Sequence, residues 1–320
     1  MKEGDNVPRT EENSIKRVYK NIQSLVPIDD FYRSTAKHYG GAFDDKRLFG
    51  GQAVAQMYLA ARKLKPNFTV SRIDVKFLRP GSTVDPIDYR PVDFADDTAH
   101  LTLVAKQNGK VLNKSHVRLI NKAYAAFDLV QPTKPIDTST LPNPLSCPIG
   151  PPMVAPLYID RWLDKHGYQA VYGNNSEHRT SLFEIRPIQL YDFRPVDKRQ
   201  KPTLLWIRLS DMVRDEAIVE PIFAPLIFSD FLVALPVDVI FDLKPEGKAP
   251  NLASMDHKIT FHKYEDLDPR DFFFVMQQME IAADRNLIVH SRIHTRDGIP
   301  VISILQQSVY QNILPLLPKL

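Results

Sequence analysis

The same order of predicted elements occurs twice along the chain, and this repetition limits the choice of fold. Each half contains a largely apolar helix, predicted over 48–64 and over 221–235, followed by segments whose apolar residues alternate as in β-strands. The last two strands of each half are joined by a tight turn, Asn108-Gly109 in the first and Asp297-Gly298 in the second, and both turns favour hairpins. Because helices with so little charged surface are usually buried, we expect an antiparallel sheet that curves around each helix.

A proline-rich segment separates the two halves. We predict an N-terminal domain with a short leader over 1–125, a Pro-rich connector over 126–180 and a C-terminal domain with a short tail over 181–320. Within the leader, a short amphipathic helix is predicted over 14–25. The predicted strands are 28–34, 71–78, 87–92, 100–106 and 111–120 in the first half, and 181–188, 203–209, 254–262, 272–281, 287–294 and 301–310 in the second.

Composition and motifs exclude several classes of function. The 41 Lys and Arg residues against 38 Asp and Glu give a net charge of +3, so no basic surface for nucleic acid is expected. The single cysteine, Cys147, cannot form an internal disulfide or a thiolate zinc cage. The sequence has no glycine-rich phosphate loop and no apolar run of the about 20 residues needed to cross a bilayer. We therefore expect no cofactor, no metal site and no transmembrane segment.

Two histidines, His290 and His294, have a spacing that resembles a metal-binding pair. On the predicted strand they share one face with Arg292, whose positive charge discourages a cation. We interpret this face as a polar one that is solvated or lightly packed, and not as a metal site.

Six short motifs occur in an order that resembles one enzyme family. They are Leu48-Phe49-Gly50-Gly51-Gln52, Phe77-Leu78-Arg79-Pro80-Gly81, Gln107-Asn108-Gly109-Lys110, Ala253-Ser254-Met255-Asp256-His257 with Phe261-His262, Arg296-Asp297-Gly298 and Leu305-Gln306-Gln307. Together they resemble the acyl-CoA thioesterase II family, the double-hotdog thioesterases of bacterial and peroxisomal type, over 45–125 and 180–312. The resemblance implies an α+β tandem (double) hotdog fold, with two curved antiparallel sheets each wrapped around a central helix. It also implies hydrolysis of fatty acyl-CoA thioesters to free fatty acid and CoA, and assembly into a homodimer or higher homo-oligomer.

The resemblance assigns catalysis to three residues: Asp230 on the second central helix, Ser254 before an Asp-His pair, and Gln306 on a late strand. Hydrolysis of a thioester needs a positioned water, a base for its proton and donors for the oxyanion. These side chains supply the first two, and backbone N–H groups at a helix N-terminus suit the third. We expect Ser254 to orient the water and not to form an acyl-enzyme. Asp256 and His257 are interpreted as framework residues, because neighbours on a strand point to opposite faces.

Other interpretations remain open from the sequence. Each of the three assigned side chains could instead have a structural role, as a paired buried acid, a loop cap or a partner for backbone groups. The chain also departs from the family pattern at Asp74, Lys76, Gln307 and Ser308, and over 96–101. The alternative function is therefore a catalytically degraded hotdog paralogue that binds acyl-CoA or partners without hydrolysis. A hotdog dehydratase is a weaker third, because no acid-histidine pair stands at the spacing of such enzymes.

The last three residues, Pro318-Lys319-Leu320, resemble the Ser-Lys-Leu peroxisomal address with proline in its first position. We expect residence in the peroxisomal matrix through an import receptor that binds this tail. The cytoplasm is the alternative.

Overall fold

The computed structural model describes residues 9–35, 37–41, 44–93, 99–122, 136–147, 182–188, 202–231, 233, 252–262, 264, 266–283 and 285–310. The predicted connector lies mostly outside the described residues, and so do positions 96–98 and the C-terminal tripeptide. Among the described residues, no helix is both long enough and apolar enough to cross a membrane.

Among its described residues, the first half contains two helices and eight strands. They are α1 (Arg9–Ile22), β1 (Leu25–Ile28), β2 (Phe31–Ser34), β3 (Gly40–Gly41), β4 (Asp44–Leu48), α2 (Gly50–Leu64), β5 (Phe68–Phe77), β6 (Asp88–Asp93), β7 (His100–Gln107) and β8 (Lys110–Asn121). The predicted strand over 28–34 begins too early, because Asp29 takes a left-handed φ of 48° and a turn separates β1 from β2, which starts at Phe31. The hairpin between β7 and β8 is confirmed, with positive φ at Asn108 and Gly109.

The second half contains one helix and six strands among its described residues. They are β9 (Phe183–Pro187), β10 (Thr203–Leu209), α3 (Phe223–Phe228), β11 (Leu252–Phe261), β12 (Phe273–Ala283), β13 (Asn286–His294) and β14 (Pro300–Tyr310), and two single 3-10 turns precede them at Thr138–Thr140 and Pro144–Ser146. The predicted helix over 221–235 is too long, since α3 ends at Phe228. Pro225 is the third residue of α3, where a backbone N–H has no intrahelical partner, so the proline fits without a kink.

Twelve strands form one antiparallel sheet in the order β1-β2-β6-β7-β8-β5-β11-β14-β13-β12-β10-β9. The two halves of this order mirror each other, because the strand that follows each central helix, β5 or β11, lies in the middle. Beside it lies the late hairpin of its own half, β7–β8 or β13–β14. β5 pairs with β11, for example through Val75 opposite His257. The halves are therefore continuous through the sheet.

The central helices face each other inside this sheet. Every residue of α2 from Gly51 to Ala61 is buried, as predicted for a helix with so little charged surface, and so is every residue of α3. A side chain at Gly51 would overlap the carbonyl oxygen of Ile227, so α2 and α3 cross at backbone contact distance. One hydrophobic core includes residues of both helices and of strands from both halves. This is the double-hotdog arrangement that the resemblance implied.

Candidate active site

The structure brings the three predicted catalytic side chains together. Ser254 Oγ lies 3.1 Å from Oδ1 of Asp230, and Gln306 Nε2 lies 2.5 Å from the same oxygen. Gln306 Nε2 also lies 2.8 Å from Ser254 Oγ, which closes a triangle of polar atoms. The amide nitrogen must face this triangle, because an ionised carboxylate only accepts hydrogen bonds. The Asp230 side chain is 9% exposed, so the triangle lies at the edge of the core.

The β11–β14 pair positions Ser254 and Gln306. The register shifts between Ser254 and Asp256, which is a β-bulge at Met255. Because the bulge inserts one extra residue, Ser254 and His257 both face the interior, although an uninterrupted strand would point them to opposite faces. Gln306 lies directly opposite His257 on β14 and is 1% exposed. The bulge therefore places the Ser254 hydroxyl beside the Gln306 amide.

The resemblance implied that Asp230 lies on the second central helix. In the structure it lies in the turn that follows α3. α3 has ended at Phe228, and a short turn then directs the carboxylate of Asp230 towards the first half. A Cβ on Gly50 would overlap Oδ2 of Asp230, so this oxygen lies against the first residue of α2. The base comes from one half of the molecule and the adjoining helix terminus from the other.

The N-terminus of α2 faces this site without a side-chain cap. Phe49 occupies the N-cap position and makes no capping hydrogen bond. The first N–H groups of a helix lack intrahelical acceptors and carry partial positive charge. Such groups attract anionic atoms, so at this place beside Asp230 they can donate to a developing oxyanion.

Among the residues that the structure describes, the hydrogen bonds in this triangle leave two acceptor atoms available. Both donors to Asp230 contact Oδ1, which leaves Oδ2 next to Gly50. Gln306 Oε1 is buried and has no hydrogen-bond partner among the described residues. A water molecule donates two hydrogen bonds, so an acceptor on Asp230 and one on Gln306 suit a bound water.

Aromatic rings gather beside Asp230. Phe231 follows it directly, and its ring centroid lies 4.9 Å from that of Phe183 and 6.3 Å from that of Phe49. Tyr39 and Phe228 extend the same group with edge-to-face contacts on Phe183. The polar triangle therefore borders an apolar region built from both halves.

Sequence reasoning missed two residues of this site, His257 and Gly50. His257 is fully buried, and its Nδ1 lies 3.8 Å from Oδ1 of Asp230. Asp256 is partly exposed on the other face, so the two neighbours do point apart as predicted. What the sequence did not reveal is the bulge that turns His257 towards Asp230. Gly50 stood in a recognised motif, but its contact with a residue 180 positions away along the chain has no local signal.

The departures from the family pattern lie in different environments. Asp74 pairs with Arg72 at 2.8 Å, and Lys76 is exposed, so neither joins the triangle. Gln307 faces away from Gln306 and donates to Asn286 Oδ1 at 3.3 Å. Ser308 is fully buried, directly opposite Ser254, and its hydroxyl has no hydrogen-bond partner among the described residues.

The predicted polar face of β13 is wrong at His294. A register irregularity after Ile293 turns His294 inwards, where it is 1% exposed. Burial, with the positive charges of Arg292 and His262 adding, lowers the pKa of His294 to about 4. His290 lies instead on the outer side, 3.9 Å from Glu280. No group of three or more metal-ligating side chains occurs in the part of the chain that the structure describes.

Comparisons of the sequence with known proteins find acyl-CoA thioesterases. Residues 163–310 match the family model described as the acyl-CoA thioesterase C-terminal domain. Acyl-coenzyme A thioesterase 8 of Rattus norvegicus is 25% identical over 305 residues, which cover 91% of this chain and 88% of that protein. The human protein of the same name is 23% identical over 299 residues, which cover 90% of this chain and 87% of that protein.

Solved structures share the fold. The acyl-CoA thioesterase II TesB2 from Mycobacterium marinum superposes with a TM-score of 0.66 at 18% identity, covering 91% of this chain and 97% of that one. The dehydratase domain of RzxB from Pseudomonas fluorescens gives a TM-score of 0.53 at 12% identity, covering 90% and 96%. The same fold thus occurs with more than one chemistry, and the sequence matches are to the thioesterases. The chain is therefore similar to acyl-CoA thioesterases, a group of thioester hydrolases, both over residues 163–310 and over most of its length.

Proposed function

We propose that this enzyme hydrolyses fatty acyl-CoA thioesters by the attack of one water molecule that Asp230, Ser254 and Gln306 position. The observation that carries the proposal is the triangle of hydrogen bonds among these side chains, which come from three distant parts of the chain. Nothing in the local sequence requires the three to meet, and the resulting group combines a base with both donors and acceptors.

The reaction follows from the atoms available. The water oxygen attacks the thioester carbonyl carbon while Oδ2 of Asp230 accepts one of its protons, and Oε1 of Gln306 accepts a hydrogen bond from the other. The carbonyl oxygen becomes an oxyanion, which the N–H groups at the start of α2 stabilise. The C–S bond then breaks, and the CoA sulfur takes the proton that Asp230 received. The products are a free fatty acid and CoA, and the enzyme returns to its starting state.

Ser254 orients Asp230 and the water in this scheme and does not attack the substrate. Its hydroxyl donates to Oδ1 of Asp230 and accepts from Gln306, so its proton and lone pair both serve the triangle. Intact-mass spectrometry of enzyme quenched during turnover tests this role. We expect no acyl adduct, whereas an adduct that maps to Ser254 would show nucleophilic catalysis.

The aromatic group beside Asp230 supports a fatty acyl substrate. Phe49, Phe183 and Phe231 line the apolar region that borders the carboxylate, and a hydrocarbon chain gains about 0.8 kcal/mol for each methylene buried there. A short polar acyl group would gain little from these rings. We therefore expect catalytic efficiency to rise with chain length until the apolar region is filled.

A panel of saturated acyl-CoA esters, assayed by release of the free thiol, tests the proposed function. We expect turnover of the fatty members and loss of most activity in Ser254→Ala and Gln306→Ala. If folded protein binds a non-hydrolysable acyl-CoA and cleaves no member of the panel, the degraded paralogue is the correct interpretation.

We also propose residence in the peroxisomal matrix through Pro318-Lys319-Leu320, and assembly into a homodimer. The tail resembles a receptor-read address, and the family resemblance implies the dimer. Fluorescence microscopy of an N-terminally tagged chain tests the address. We expect peroxisomal signal for the natural tail and diffuse signal for Lys319→Glu, and identical distributions would reject a tail-dependent address.

A further inference from the structure

His257 lies at the centre of the sheet, where burial of a polar ring destabilises the fold. It is fully buried between β5 and β14, with Val75 and Gln306 as its cross-strand neighbours. Neither ring nitrogen has a hydrogen-bond partner among the described residues. Buried polar groups are nearly always paired, and an unpaired one is destabilising. An apolar ring would suit this position better if packing were its only role.

The surroundings of His257 orient one nitrogen towards the site. The edge of its ring meets the ring of Phe77, with centroids 6.5 Å apart. Nδ1 lies 3.8 Å from Oδ1 of Asp230, which is about 1 Å longer than a hydrogen bond to a charged group. Because an ionised carboxylate only accepts, the ring is stabilised there when Nδ1 carries a proton.

The same oxygen of Asp230 also accepts hydrogen bonds from Ser254 and Gln306. Both donate to Oδ1, so this oxygen is fully occupied and His257 stays at a distance. Bound water and substrate offer both side chains other hydrogen-bond partners, so the two can turn partly away from Oδ1. Once they turn, Oδ1 loses donors in a nearly buried position, and His257 Nδ1–H is the adjoining donor that can replace them.

We propose that His257 is a positioning residue, which closes on Oδ1 of Asp230 when substrate binds and so keeps Oδ2 directed at the attacking water. The proposal rests on the proposed function, since it assigns a role that acts through Asp230. It explains why an unpaired imidazole is tolerated in the core, because its partner is engaged elsewhere until substrate arrives. Functional groups of this kind reduce stability in exchange for activity.

Two substitutions of His257 separate positioning from packing. His257→Phe keeps the ring and its contact with Phe77 but removes the donor. His257→Asn loses ring volume but keeps an N–H close to the place of Nδ1. We expect the Phe variant to lower kcat by about tenfold or more with little change in KM, and the Asn variant to retain more activity although it packs worse. The Phe variant should also melt at or above the wild-type temperature.

A role in packing alone predicts the opposite order, with the Asn variant the less active and the Phe variant near wild type. That order would overturn the proposal. Ile259→Val, on the same buried face of β11, controls for small packing changes and should leave kcat near wild type.

The test also distinguishes this proposal from the function on which it rests. If wild-type turnover depends on Asp230 but His257→Phe is fully active, only the role of His257 is wrong. If wild-type protein shows no turnover, the proposed function itself fails. In the Asp230→Asn background, His257→Phe should cause no further loss, and a full additional loss would show that His257 acts independently of Asp230.

Discussion

At the scale of single residues, the site depends on two neighbouring glycines, Gly50 and Gly51, because a side chain at either position would overlap a neighbouring group. Gly50 lets Oδ2 of Asp230 reach the first turn of α2, and Gly51 lets α2 contact the backbone of α3 at Ile227. The two glycines are neighbours, yet one adjoins a movable carboxylate and the other a fixed carbonyl. Their substitution should therefore affect different properties.

Gly50→Ala should impair catalysis without unfolding the protein. Alanine favours the helix by about 1 kcal/mol, but its Cβ would displace the Asp230 carboxylate. A displacement of that size costs on the order of 10²-fold in rate. We expect kcat to fall by this order with a melting temperature at or above wild type. Wild-type kcat in the Gly50→Ala enzyme would show that Oδ2 need not lie at the helix terminus.

Gly51→Ala is the matched comparison. Its Cβ meets the backbone oxygen of Ile227, which cannot move without shifting α3. We expect a clear fall in melting temperature, measured by circular dichroism, because the contact between the helices must open. Unchanged stability in this variant would contradict the close helix crossing.

The residues of the triangle could be named from the sequence through the family resemblance, because Ser254 and Gln306 stand in its motifs and Asp230 occupies the position of its acidic residue. His257 was in the same motif as Ser254, and its approach to Asp230 was not predicted. An uninterrupted strand places residues 254 and 257 on opposite faces, and only the bulge at Met255 reverses this. A bulge depends on pairing with a strand far along the chain, so the local pattern does not reveal it.

At the scale of elements, α2 joins the halves by polar contacts as well as by packing. Tyr58, fully buried on α2, donates its hydroxyl to Glu220 in the segment before α3. Arg62, one turn further along α2, donates to the other oxygen of Glu220 at 3.3 Å. Burial, together with the nearby Tyr264 and Glu220, raises the pKa of Tyr58 far above its ordinary value. The hydroxyl therefore remains a donor throughout the physiological pH range.

Tyr58→Phe should destabilise the fold and spare catalysis. The change removes the donor to Glu220 but keeps the ring, which stacks on Phe261 with centroids 5.6 Å apart. A hydrogen bond to a charged group contributes about 1.5–3 kcal/mol, so we expect the free energy of unfolding to fall by about this amount in urea titrations. Turnover at moderate temperature should stay near wild type. Equal stability of the two proteins would contradict the polar contact between α2 and Glu220.

The two central helices and most of the strands, in their order, followed from the sequence, whereas β3, β4 and the ends of the elements did not. The apolar run from Pro221 onwards predicted a helix to 235, but the described helix ends at Phe228. A continuous apolar run indicates burial, and it fits a buried turn as well as a buried helix. That difference matters here, because the turn is what directs Asp230 towards α2.

At the scale of the whole molecule, two copies of one supersecondary pattern form a single body through the β5–β11 pair. The repetition was visible in the sequence, whereas the pairing of β5 with β11 was not, since it depends on a contact between strands about 180 residues apart. The functional consequence is a site that contains Asp230, Ser254 and Gln306 from one half and the α2 terminus from the other. Neither half holds this site alone.

The folded protein should become less stable in mild acid. His294 has a folded-state pKa of about 4, lowered mainly by burial, against about 6.5 in an unfolded chain. The contribution of His294 to folding stability is therefore complete above about pH 6.5, where the imidazole is neutral. This contribution is lost as the pH falls towards about 4. We expect a loss of up to about 3 kcal/mol across that window, measured by urea unfolding at several pH values.

His294→Leu should flatten this pH dependence, because the leucine has no proton to gain on unfolding. Burial also lowers the pKa of His262 and of His290, so a smaller slope of the same sign should remain. His116→Asn, at an exposed position of β8, serves as the control and should keep the wild-type slope. A His294→Leu protein with the full wild-type slope would contradict the role of the buried imidazole.

The most direct test compares the release of free CoA from one fatty acyl-CoA by purified wild-type protein and Asp230→Asn. The amide keeps the shape of the side chain but cannot accept the proton of the attacking water. We predict steady turnover by the wild type and a fall in kcat/KM of about 10²–10⁴-fold in the variant, with equal melting temperatures. Near-wild-type rates in Asp230→Asn would contradict the account.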